Sequence, residues 1–124
     1  MNNTKYNIKT KAVTRPWGSY TVLIEGNGYK VKLVEVSPNK KLSLQKHHKR
    51  SEHWVVVEGE AKIVEDKKAH TLKPNQSAYI AKGELHRLEN KLNKPLRIIE
   101  VQCGKYLEED DIERLEDDYG REHK

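Results

Sequence analysis

Phenylalanine is absent from the chain, and only two Trp and six Tyr supply its aromatics. The large apolar groups of any core must therefore come mainly from Val, Ile and Leu. There is one cysteine, Cys103. That excludes an intrachain disulfide and a thiolate zinc site, and it points to a reducing compartment. Within "IIEVQC" (98–103) it reads as a small packing residue on a strand. No apolar run approaches the ~20 residues that cross a bilayer. The N-terminal "MNNTKYNIKTK" has no apolar stretch and so does not read as a secretory signal. The expected location is cytoplasmic, with no membrane partner. The few aromatics are not interleaved with basic residues, which excludes a stacking platform for single strands, and no nucleic-acid partner is expected.

Charge is what the chain has in quantity. Charged residues make up 35% of it, as much as the hydrophobic ones, so a compact core sits under a heavily charged surface. At 124 residues a single domain is expected. The net charge of +5 is unevenly spread. Residues 105–124 hold four basic and nine acidic side chains, whereas the rest hold twenty and ten. A basic body suits an anionic partner such as a phosphorylated metabolite, and scattered lysines also serve solubility.

Short apolar runs alternate with turn signals. "YTVLIEG" (20–26) is followed by Asn27-Gly28, a hairpin signal, and then by "YKVKLVEVSP" (29–38). Further strands are read at 41–45, at 53–65 with a break at Glu58-Gly59, at 67–76, at 77–90 around a glycine turn, and at 94–104. This spacing, with no long helix between strands, predicts an antiparallel sandwich or small barrel. One helix is predicted, at the end: Ile112, Leu115 and Tyr119 form an i, i+3, i+7 stripe. Asp110 and Asp111 suit its N-terminus, and Gly120 is placed to end it.

The stretch "LSLQKHHKRSEHWVVVEG" (42–59) concentrates donor side chains. Gln45 and His47 are two apart, so on a strand they point the same way. Glu52 follows a turn, and His86 after "AKGEL" can reach them from across a barrel. An amide oxygen, two imidazoles and a carboxylate suit zinc, and also cobalt, manganese, iron or nickel. The same spacing also fits a wet loop between two strands.

Both segments resemble the two cupin motifs. The first, normally H-x-H, four residues, E, six residues, G, is here Gln45-x-His47, Glu52 and Gly59. The second, normally P-x-G-x-x-H-x-x-x-N, is matched by Gly83, His86 and Asn90, with Ala81 in place of the proline. Together with "RPWGSY" (15–20) and "IEVQCGKYLEEDDIERLEDDYGR" (99–121), the strings closely resemble the cupin domain of type II phosphomannose isomerases.

The resemblance implies an all-β, cupin-type double-stranded β-helix (jelly-roll barrel). It would form one domain over 1–124, with an N-terminal arm over 1–14 and a short C-terminal helix at about 108–119. It implies a metal-dependent isomerase interconverting mannose 6-phosphate and fructose 6-phosphate through a cis-enediol. One divalent ion, zinc foremost, is then expected on Gln45, His47, Glu52 and His86. In that family the domain commonly follows a mannose-1-phosphate guanylyltransferase domain. No Gly-rich nucleotide-binding segment is seen here, so that activity is not carried over.

Candidates for proton transfer are His53, Glu100 and His48, with Arg50 beside them. Candidates for substrate and phosphate contact are Arg50, Arg87, Lys32 and Arg121. Arg114 reads as an i, i+4 partner of Asp110 or Asp118 on a solvated helix face. Trp17 and Trp54 read as packing residues, and His70 and His123 receive no role. A homodimer paired through sheet edges is expected. Two other readings are a non-catalytic metal- or carbohydrate-binding cupin that partners a separate guanylyltransferase, and a cupin oxygenase. The Gln ligand and the basic body argue against the oxygenase.

Overall fold

The computed structural model describes residues 11–65, 68–117 and 119. Eleven strands run in chain order: β1 (Val13–Arg15), β2 (Gly18–Gly26), β3 (Tyr29–Val36), β4 (Leu44–Lys46), β5 (Arg50–Glu58), β6 (Ala61–Glu65), β7 (Lys68–Leu72), β8 (Ser77–Ile80), β9 (His86–Glu89), β10 (Leu96–Gly104) and β11 (Glu113–Glu116). They form two sheets, in the orders β1-β2-β3-β10-β5-β8 and β11-β4-β9-β6-β7. Every pairing is antiparallel. The two sheets face each other over one core, the double-stranded β-helix of the cupins.

Alternation explains both the core and the site. On β3, β5 and β10 every second residue points inward and is buried, and the inward set changes character along the strands. At one end it is apolar: Val36 pairs with Leu96, and Val34 pairs with Ile98, which in turn pairs with Val56. Ile63 and Leu88 of the second sheet complete this end of the core. At the other end Lys32 pairs with Glu100, and Gln102 pairs with Glu52. All four are buried. Taking charges out of water costs several kcal/mol per ion, so a barrel with one apolar and one polar end has set the polar end aside for something other than stability.

Three expectations need correction. Among the described residues there is no helix: the segment predicted as one turns at 109–110 and then forms β11. Strand β4 offers an open edge, and β11 pairs with it, Glu113 opposite Lys46 and Arg114 opposite Gln45. Tertiary pairing thus overrides the helical period, and the apolar stripe is divided. Ile112 lines an internal cavity, Leu115 is exposed, and Tyr119 packs against the core. Second, the arm does not extend to residue 14, because Val13–Arg15 pairs with β2. Third, Cys103 is on a strand as expected but faces outward and is exposed.

The turn before His86 departs from the family pattern at Ala81, and the structure shows what holds it. Gly83 has φ +75, a conformation that glycine adopts without strain. The Ala81 N–H donates to Glu84 Oε1 at 2.8 Å, and the Gly83 N–H donates to the His47 carbonyl at 2.7 Å. A proline at 81 has no N–H to give. Here a hydrogen bond replaces the rigidity of the ring.

Candidate metal centre and its cavity

Gln45 points inward from β4, and His47 follows it just past the strand end. Gln45 is the register partner of His86 on β9, so one sheet supplies three of the four side chains. Glu52 comes across from β5 in the other sheet. Donor atoms of His47, Glu52 and His86 lie within 4.8 Å of one another, and all three residues are buried. His47 Nε2 stands 3.4 Å from Glu52 Oε2, and the two imidazole centroids are 5.0 Å apart. Gln45 lines the same cavity. Its Nε2 donates to the Ser43 carbonyl at 3.3 Å, which leaves the oxygen end of the amide for a cation.

Both histidines are fixed in one tautomer. A carbonyl oxygen only accepts, so Nδ1 of His47 donates to the Asp111 carbonyl at 2.7 Å, and Nδ1 of His86 to the Glu84 carbonyl at 2.9 Å. The Nε2 lone pair of each is then the one available for ligation. Burial pushes the His47 imidazole down to about 4, against the opposing pull of Glu52, so it is neutral at pH 7. Burial alone would raise Glu52. The charges of His47, Arg50 and His86, with a hydrogen bond from Arg50, outweigh it and hold the carboxyl at about 2. Two imidazoles, an ionised carboxylate and an amide oxygen form a donor set that fits a divalent cation.

Two neighbours on β5 orient the carboxylate. Arg50 Nε donates to Glu52 Oε2 at 2.7 Å, and Trp54 Nε1 donates to Glu52 Oε1 at 2.9 Å. Trp54 also meets His86 edge-on, with ring centroids 5.4 Å apart. It is a packing residue as expected, with a polar task added.

Above the cluster the cavity is lined by Arg15, Tyr20, Lys32, Arg50, Glu100 and, from the C-terminal segment, Glu109, Ile112 and Arg114. Burial, and then the Glu52 charge, push the Glu100 carboxyl up to about 8, against Lys32 and Arg50. Gln102 Nε2 donates to Glu100 Oε2 at 2.7 Å.

Gln45, His47, Arg50, Glu52, His86, Lys32 and Glu100 are thus brought together. The other candidates among the described residues are not. His53 lies between inward-facing Glu52 and Trp54, so alternation turns it outward, where it is exposed and stacks on Tyr79 at 4.7 Å. His48 is exposed and its Nε2 meets Glu113 at 3.2 Å. Arg87 faces away from the cavity. Its guanidinium donates to the Leu42 carbonyl and to the side chain and carbonyl of Glu116, tying β11 down. Arg114, read as a solvated helix residue, lines the cavity because β11 is a strand. Arg121 and His123 lie outside the described residues.

Sequence reasoning missed Arg15, Tyr20, Glu109 and Asp111. Arg15 and Tyr20 are the ends of the "RPWGSY" string, which is their only signal in the sequence. Glu109 carried no signal and Asp111 only one for a helix start, since their partners at the site lie more than sixty residues away. The Asp111 carboxylate accepts from the His48 and Lys49 backbone N–H groups at 3.0 Å each. With its carbonyl on His47, Asp111 pins the 105–112 segment over the cavity mouth.

Comparison with known proteins shows the family and the fold. The family described as "Mannose-6-phosphate isomerase C-terminal" matches residues 2–117. The alginate biosynthesis protein AlgA of Pseudomonas aeruginosa is 55% identical over 109 residues, 88% of this chain and 23% of that protein. The mannose-1-phosphate guanylyltransferase of Escherichia coli K12 is 50% identical over 111 residues, 90% of this chain and 23% of that protein. The chain therefore spans about a quarter of the length of these relatives. Among solved structures, a Klebsiella pneumoniae protein with a double-stranded β-helix domain superposes with a TM-score of 0.69 at 18% identity, covering 94% of this chain and 96% of that one. The cupin domain of Schizosaccharomyces pombe Cnp3 gives 0.67 at 9% identity, covering 69% of this chain and 64% of that one. At such identities the likeness is one of fold.

Proposed function

The chain belongs to the mannose-6-phosphate isomerase C-terminal family, and from that premise we propose that it interconverts mannose 6-phosphate and fructose 6-phosphate, using a divalent ion held by Gln45, His47, Glu52 and His86. One observation carries the proposal: the buried His47, Glu52 and His86 converge within 4.8 Å on the floor of a cavity that Lys32, Arg50 and Glu100 also line. When bound, such an ion supplies Lewis-acid stabilisation of charge developing on the sugar oxygens.

The isomerisation breaks the C2–H bond of the open-chain aldose and forms a C1–H bond in the ketose. One proton also passes from O2 to O1, with a cis-enediol between the two states. Glu100 is the group of choice for the carbon-bound proton. Its carboxyl lies in the cavity, and burial poises it near neutrality, where one group can accept from C2 and return to C1. Gln102 holds the carboxyl in place. Arg50 keeps Glu52 ionised and oriented. Lys32 offers a buried cation to the anionic end of the substrate. Trp17 and Trp54 close the cavity wall against water.

The test is a coupled assay for fructose 6-phosphate on metal-stripped protein, repeated after adding zinc, cobalt, manganese or magnesium, with His47→Ala in parallel. Metal-restored activity that His47→Ala abolishes is the expected result. A protein that binds metal yet isomerises nothing overturns it. That outcome favours the second reading, a binding module working beside a guanylyltransferase.

A further inference from the structure

One buried cation of the cavity wall already has an anion on it. Lys32 Nζ donates to Glu109 Oε2 at 2.5 Å, across 77 residues of sequence. The two partners differ sharply in exposure: their side chains are 4% and 45% exposed. Lys32 is fixed on β3 inside the barrel. Glu109 rides on the 105–112 segment and has solvent on its other side.

Lys32 is also not alone. Its Nζ sits 4.1 Å from the centre of the Tyr20 ring, and Arg15 Cζ sits 5.3 Å from the same ring. Arg15 Nη2 reaches the Tyr20 hydroxyl at 3.5 Å. Two cations converging on one aromatic ring repel each other unless an anion joins them. Arg114 lines the same cavity from β11.

We infer that Arg15, Tyr20 and Lys32 form the subsite for the phosphate of the substrate, and that Glu109 is a built-in stand-in for that phosphate, displaced when the anion binds. The phosphate-ester identity of the ligand rests on the isomerase reading; the anion subsite itself does not. The dimensions agree. Lys32 and Glu52 lie two strands apart across β3, β10 and β5, with a two-residue offset, roughly 10–12 Å at the backbone. An extended hexose with its C6 phosphate ester spans a comparable length from the reacting carbons. The exchange is also inexpensive. Glu109 is 45% exposed and returns to water when released, whereas a phosphate dianion brings more charge and more acceptor oxygens to the same donors. Glu109 keeps Lys32 paired in the resting protein and sets a threshold that an uncharged sugar does not cross.

The experiment titrates the chain with inorganic phosphate by calorimetry in the presence of a chelator, so that no phosphate–metal contact contributes. Arg15→Gln, Lys32→Met and Glu109→Gln are compared with the unaltered chain, with near-ultraviolet circular dichroism as the check on folding. The expected result is saturable binding that Arg15→Gln and Lys32→Met each weaken by roughly tenfold or more, and that Glu109→Gln tightens by about two- to fivefold. Wild-type affinity in folded Arg15→Gln overturns the subsite, and an unchanged affinity in Glu109→Gln overturns the stand-in. The isomerase assay separates the two proposals. A chain that binds phosphate in this pattern but does not isomerise keeps the subsite and loses the isomerase. A chain that isomerises with an unaltered KM for mannose 6-phosphate in Arg15→Gln keeps the isomerase and loses the subsite.

Discussion

Glu52 accepts a hydrogen bond on each carboxylate oxygen, from Arg50 and from Trp54, while facing two imidazoles. Removing it leaves Arg50 buried without its counter-charge. Glu52→Ala is expected to cost the metal-free protein about 3–5 kcal/mol, read from urea denaturation, and to abolish stoichiometric zinc binding, read by metal analysis. Proton linkage gives a second residue-level prediction. Glu100 sits at about 8 in the fold against 4.5 for a free side chain, so between those values the folded state binds the extra proton. Its contribution is fully present below pH 4.5 and is lost as pH rises through 8. His47 at about 4 and Glu52 at about 2 act in the opposite sense. Stability falls as pH drops from 6.5 to 4 for the first and from 4.5 to 2 for the second. In urea midpoints of metal-free protein, Glu100→Gln is therefore expected to gain on wild type from pH 5 to pH 8.5. Both proteins are expected to fail steeply below pH 4.5. A constant difference across that range contradicts the assignment of Glu100.

At the scale of the element, the C-terminal segment supplies one wall of the cavity, through Glu109, Ile112 and Arg114. Asp111 binds two backbone amides and one imidazole with a single residue, and Arg87 ties down β11 beyond it. Asp111→Ala is expected to release this segment. In hydrogen exchange the His48 and Lys49 amides then lose protection while those of β10 keep it; parallel loss at both places would mean global destabilisation instead. The strands themselves were legible in the sequence, because alternation and turn residues such as Asn27-Gly28 are local signals. The cluster was legible too, since Gln45, His47 and Glu52 lie within eight residues and His86 follows its own glycine turn. The last segment was not. Its Ile112, Leu115, Tyr119 period is a genuine helical pattern, and only the open edge of β4, more than sixty residues earlier, makes it a strand. His53 and Arg87 misled for a related reason. Each adjoins a ligand in sequence, and adjacency on a strand means opposite faces. Glu109 finds Lys32 across 77 residues, a separation at which no local signal exists.

For the whole molecule, the relevant contrast is between an apolar end that holds the barrel together and a polar end that strains it. A ligand that neutralises the polar end should stabilise the entire fold. Zinc added to a hundredfold excess over its Kd is expected to raise the stability by about 2.7 kcal/mol, seen as a higher melting temperature. His86→Ala should lack that shift while still folding, and an equal shift in the variant would place zinc elsewhere. The chain order carries a further consequence. Glu109, Ile112 and Arg114 reach the cavity from a stretch that follows all ten strands of the frame. Walls and cover are thus separate stretches of sequence, and the cover can vary without redrawing the walls.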